Sequence, residues 1–170
     1  LALLNITRRE VNMRERARNL AHQIEILTDA LRTYVQRCPE ETWRRTCAEE
    51  DWTVGVVARH LAVGHFQIIH MAKSILRGEP LPAVTMEQII EQGNTHAREH
   101  ADCTRQEVLD LIDEHSAAAL AFVAELRDED LDCKGHLDLL GGEVSVEQLL
   151  TLVLIHSGGD HLTSMKAAAG

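Results

Sequence analysis

Aromatic residues are scarce in this chain. Two Trp, two Phe and one Tyr make up 3% of 170 residues. Its core must therefore be built from Leu, Ile, Val and Ala, which favours helix packed on helix over a sheet. Basic residues are also short, 17 Lys and Arg against 27 Asp and Glu, a formal net charge of -10. That balance argues against a nucleic-acid surface, because phosphate contacts need clustered Lys and Arg. The one dense basic stretch, Arg14 to Arg18, is interleaved with Glu15 and reads as a solvated helix start. No apolar run approaches the roughly 18 residues of a membrane span. Leu1 to Ile6 is too short for a signal peptide, and Arg8 and Arg9 follow it rather than precede it. The four cysteines, Cys38, Cys47, Cys103 and Cys133, form no C-x-x-C pair. A zinc knuckle and a thioredoxin-like motif are thereby excluded. The expectation is a reduced, cytoplasmic protein with one domain over residues 13–170 and an N-terminal extension over 1–12.

What is present is helical periodicity. Leu20, Ile24, Leu27, Leu31 and Val35 fall at spacings of three and four, predicting a helix over 11–37 that Pro39 ends. A short helix fits 40–45. A second long helix is expected over 53–76, with Val56, Val57, His60, Leu61, Gly64, Ile68, Met71 and Ile75 on one face. Gly78, Pro80 and Pro82 close it. Capping boxes open the next three helices, at Thr85 to Gln88, Thr104 to Glu107 and Ser145 to Gln148. In the third helix Ile89, Gly93 and Ala97 mark the buried face. The fourth continues through Val108, Leu111, Ile112, Ala119, Phe122, Val123 and Leu126. Gly135, Gly141 and Gly142 mark turns, with a small hairpin through 137–144. The last helix is expected to bury Leu149, Leu152, Val153 and Met165. The fold class is all-α, an up-down four-helix bundle with a short extra helix.

The chemistry-bearing residues are histidines. His60 lies on the second helix, and His156 and His161 lie on the last. All-α proteins build metal sites by pointing such side chains from different helices into one interior. Five residues amount to about 140° on an α-helix, so His156 and His161 share a face only if that helix is distorted.

These residues resemble a known family. Trp52, Thr53, Val57, His60, Leu61 and Ala62 resemble the W-[ST]-x-x-x-[VL]-x-x-H-L-A stretch of the DinB-like bundles. Asn94 to His100, Thr104 to Leu109, Leu126 to Leu131, and Val144 to Leu150 followed by His161 and Leu162 are similar to later parts of that family, in the same order. The resemblance implies a DinB-like four-helix bundle, often a homodimer, holding a divalent metal such as nickel, zinc or iron. One ligand histidine would come from the second helix and two from the last, four residues apart. Relatives include enzymes that use a low-molecular-weight thiol, among them a mycothiol-dependent maleylpyruvate isomerase. Carried onto this sequence, the ligands fall on His60, His161 and position 157, which is Ser.

Four arrangements follow. A π-bulge at Gly158 and Gly159 would swing His156 beside His161, completing a His60, His156 and His161 site. His156 could instead pair with Asp160, four residues on. Ser157 and His161 could face inward as a weak pair. In the fourth, the metal site is lost. The first defines the candidate ligand set. His96 and His100, four apart, could form a small site of their own. His65 and His70 read as surface or packing residues, and His22, His115 and His136 show no partner. The expected function is a metal-dependent, thiol-dependent transferase or hydrolase acting on a small molecule. The alternative is a non-catalytic bundle that binds a small molecule or a protein partner in the old cleft.

Overall fold

The computed structural model describes residues 14–170, so the expected extension over 1–12 lies outside the described residues. Helix α1 is Glu15–Arg37 and buries Leu20, Ile24, Leu27, Leu31 and Val35, the stripe its spacing predicts. A four-residue helix α2, Glu40–Trp43, follows. Two short antiparallel strands, β1 Thr46–Cys47 and β2 Trp52–Thr53, form where the sequence pattern shows only a connector. The turn between them ends on Asp51, which takes a left-handed φ of 58°. Aspartate tolerates that conformation better than most residues.

Helix α3 spans 54–76 and is not uniform. It runs as α-helix from Val54–His60, as π-helix over Leu61–His65, as a 3₁₀ turn over Phe66–Ile68, and as α-helix again over Ile69–Leu76. Helix α4 is Met86–Glu99 and α5 is Arg105–Glu125. A single turn α6, Asp128–Leu131, leads into a hairpin of β3 Lys134–Leu137 and β4 Gly142–Ser145, longer than its glycines suggested. Helix α7 covers 146–168: Val146–Leu149, then a π-helical Leu150–Ser157, then Gly158–Ala168. The capping boxes at Thr85 and Ser145 form in both directions, while Thr104 accepts only from the Glu107 amide.

Helices α1, α3, α5 and α7 form the four-helix bundle. Helix α1 packs closely along α5 and against α7, and α3 packs against α5 and α7. The first two long helices therefore sit diagonally, and α3 and α7 are neighbours. Helix α4 leans on α3 with Gly93 as its one buried residue, because Trp52 occupies the space beside it. Ile89, expected in the core, is exposed.

The π segment of α7 also changes which side chains face inward. Leu150 and Leu154 are buried, whereas Leu152 is exposed and Val153 half-buried. A π turn spends one more residue per hydrogen-bonded ring than an α turn, which displaces the apolar stripe from its expected register.

Close packing sets one sharp stability test. A Cβ on Gly55 would lie 2.5 Å from Cε2 and 2.6 Å from Nε1 of Trp43. That indole is buried and donates from Nε1 to the Cys103 carbonyl at 3.0 Å. Gly55→Ala should cost about 2–3 kcal/mol, the overpacking penalty outweighing the gain in helix propensity. Urea unfolding of the two proteins reads it directly.

Candidate metal centre

Three imidazoles meet where α3 and α7 pack together. His60, His65 and His161 each offer a ring nitrogen, and these atoms lie within 4.8 Å of one another. Ring centroids are 5.2 Å apart for His60 and His65, 5.4 Å for His60 and His161, and 4.9 Å for His65 and His161. Among the described residues no other set of three His, Cys, Asp or Glu side chains is arranged this way.

The π segment of α3 makes this possible. His60 and His65 are five residues apart, about 140° on an α-helix. A π turn closes its ring from i to i+5, so residues five apart come round to the same face. The distortion lies over Leu61–His65. It is supported from α5, where His115 donates from Nδ1 to the Ala62 carbonyl at 2.9 Å. Gly64 keeps the turn open, since a Cβ there would lie 3.3 Å from Cε1 of His60.

The candidate residues divide accordingly. His60 and His161 come together, and the third member of the group is His65, expected from the sequence to be a surface or packing residue. His156 is exposed and stands outside the group. The π stretch on α7 ends at Ser157, before the glycines rather than at them, and it does not turn His156 inward. Asp160 is exposed as well. Gly158 is buried for a packing reason, its Cα facing Leu27 and Leu61. Ser157 and His161 both border an open hollow of about 780 Å³ that also includes Glu50 and Asp160. The rings of His96 and His100 touch, 4.8 Å apart, without a third ligand. His70 is exposed.

Burial prepares the imidazoles to act as ligands. It lowers His60 to about 4, with His161 and His96 adding to the effect, and lowers His65 to about 3. Both rings are neutral near pH 7 and keep the lone pair a metal needs. The Nε2 of His65 is fully buried and has no hydrogen-bond partner. Such an orphan costs about 1–3 kcal/mol unless something occupies it. Three imidazoles whose ring nitrogens converge are a donor set suited to a late first-row divalent ion.

His161 is held from behind. Its Nδ1 donates to Oε1 of Glu50 at 2.6 Å, and Ser164 Oγ donates to Oε2 at 2.6 Å. Glu50 sits in the β1–β2 turn, and its side chain is only 8% exposed. With Nδ1 bonded to Glu50, Nε2 is the His161 nitrogen left for a metal. A buried carboxylate behind a ligand histidine is a recurrent device for orienting the ring and raising its basicity. Sequence reading missed Glu50, because nothing in its neighbourhood marks it until the hairpin forms.

Trp52 completes one wall, 5.3 Å from the His60 ring and donating from Nε1 to Asn94 Oδ1 at 3.2 Å. The thiols lie outside this chemistry. Burial raises Cys47 and Cys103 to about 11, which keeps both protonated near pH 7.

The model of the DinB superfamily matches residues 23–163. The chain belongs to the DinB superfamily. A similar solved structure is YfiT from Bacillus subtilis, described as a probable metal-dependent hydrolase with an unusual four-helix bundle topology. It shares 18% identity at a TM-score of 0.73, over 90% of this chain and 85% of that one. At that identity the likeness is one of fold. No curated protein matches this superfamily member in sequence. Among the described residues no helix is long and apolar enough to cross a membrane.

The buried histidines set a pH dependence. Their folded pKa values lie below the ordinary value of 6.5. As pH falls through 6.5 the unfolded chain takes up protons that the folded chain refuses, so stability is lost towards acid. The loss begins near 6.5 and continues to about 3, and above 6.5 these groups add no slope. One such histidine removes roughly 2 kcal/mol by pH 5. Urea midpoints of metal-free protein at pH 7.5, 6 and 5 should fall steadily, and level midpoints would refute the burial argument.

Proposed function

We propose that this protein is a metal-dependent enzyme acting on a small molecule, with one divalent ion held by His60, His65 and His161. The observation that carries the reading is the convergence of ring nitrogens of three histidines within 4.8 Å, on rings that include the buried His65, whose Nε2 has no hydrogen-bond partner. Family membership and the description of YfiT agree with it. Three imidazole ligands suit nickel, zinc or iron and leave coordination positions open, as catalytic sites require. When bound, the ion supplies Lewis acidity, polarising a substrate oxygen or activating water or a thiol. The chain's own part is to orient. Glu50 fixes His161, the π turn of α3 aligns His60 with His65, and Trp52 packs against the His60 ring.

Hydrolysis is the favoured reaction class, and transfer to a low-molecular-weight thiol is the alternative. A homodimer and a cytoplasmic location remain part of the proposal, and sedimentation equilibrium tests the first. Metal analysis of purified protein should find about one ion per chain, lost in His60→Ala. Protein that is metal-free and takes up none on titration would overturn the reading. Turnover of small esters or amides without thiol supports the hydrolase, and turnover only with thiol supports the transferase.

A further inference from the structure

A fourth histidine adjoins the three. His96 on α4 packs its ring 5.8 Å from that of His60. It is not one of the three converging residues. Its Nδ1 faces Nη1 of Arg59 at 3.4 Å. Arginine can only donate, so Nδ1 must carry the lone pair and the proton must sit on Nε2. Arg59 is itself fixed, its side chain 13% exposed and its Nε donating to Glu107 at 3.0 Å. The Nε2–H of His96 is fully buried and has no acceptor.

Among the described residues, only two side-chain nitrogens or oxygens are buried without a partner. They are Nε2 of His65 and Nε2 of His96, and both belong to rings packed on His60. The two orphans are complementary in character. His65 belongs to the converging group and suits a cation. His96 is a neutral donor, oriented by a cation behind it, and suits an oxygen acceptor. An unmet donor of this kind is costly to keep, and a bound oxygen acceptor would supply the missing partner.

We propose that His96 is a substrate-contacting hydrogen-bond donor, its Nε2–H holding a carbonyl or carboxylate oxygen of the small molecule bound beside His60, His65 and His161. Arg59 is the positioning residue that sets its tautomer. The inference rests on the metal-centre reading for the identity of the pocket, and the test separates the two.

Acetate serves as the probe. Long-range proton–nitrogen NMR on ¹⁵N-histidine-labelled, metal-free protein should show His96 protonated on Nε2, with that nitrogen shifting as acetate is added. Protonation on Nδ1 would overturn the proposal. Acetate is then titrated against cobalt-loaded wild type, His96→Gln and His96→Asn, following the visible spectrum. Glutamine places an amide donor near Nε2 and should keep acetate affinity within about threefold. Asparagine reaches only the Nδ1 position and should lose about tenfold. Cobalt affinity should be equal in all three. Equal acetate affinity in the asparagine variant, or weaker cobalt binding in both variants, would overturn the donor role. If cobalt does not bind at all, the metal reading falls, and the acetate shift of His96 in metal-free protein decides this one.

Discussion

His65→Ala should abolish high-affinity metal binding while the bundle stays folded. Three imidazoles share the ion, and a site bound with about 10–16 kcal/mol divides into roughly 3–5 kcal/mol per ligand. Removing one should therefore weaken affinity by about two to four orders of magnitude. His156→Ala is the paired control and should change nothing, because His156 is exposed on the outer side of α7. His65→Leu separates ligation from folding. Leucine fills the buried space and removes the orphan Nε2, so metal-free protein should be at least as stable as wild type while metal binding is lost. Competition against a chromophoric chelator gives the affinities, and urea unfolding gives the stabilities. Loss of binding in His156→Ala with retention in His65→Ala would reverse the assignment.

Glu50→Ala should lower metal affinity by about 100-fold, and Glu50→Gln by about tenfold. Glu50 accepts from both His161 and Ser164 through its two carboxylate oxygens. Alanine removes both acceptors and frees the His161 ring to rotate and change tautomer. Glutamine keeps one oxygen for His161 and can offer its amide to Ser164, so orientation survives and only the negative charge is lost. The graded response is the signature of a positioning residue. A merely structural carboxylate would lower stability in both variants without separating their affinities.

Much of the bundle was legible because it rests on spacing alone. Leu20, Ile24, Leu27, Leu31 and Val35 lie at intervals of three and four, and all five are buried. The capping boxes at Thr85 and Ser145 are local chemistry and need no tertiary knowledge. The errors fall where the helix period changes. Leu152 was assigned to the core on an α register, and the π stretch over Leu150–Ser157 turns it outward. No residue type announces a π turn, since its energy comes from contacts such as His115 with Ala62.

The candidate site divides along the same line. His60 and His161 came from the family pattern carried onto this sequence. His65 was hidden by geometry. Five residues separate it from His60, as five separate His156 from His161, and the distortion that aligns such a pair lies on α3 rather than at Gly158 and Gly159. A signal was present: two histidine pairs share the same odd spacing, and the reasoning applied to one serves equally for the other. In the family pattern a ligand belongs at position 157, where this chain has Ser. The structure places an imidazole from the neighbouring helix beside His60 and His161 instead. Glu50 was beyond sequence reading, because its role depends on a four-residue turn bringing residue 50 against residues 161 and 164.

Anomalous diffraction from crystals grown with zinc or nickel tests the central claim most directly. One anomalous peak should lie about 2.1 Å from ring nitrogens of His60, His65 and His161, with Glu50 still bonded to the far side of His161. A peak on His156, a peak held by His96 and His100 alone, or an empty triad in metal-soaked crystals would contradict it.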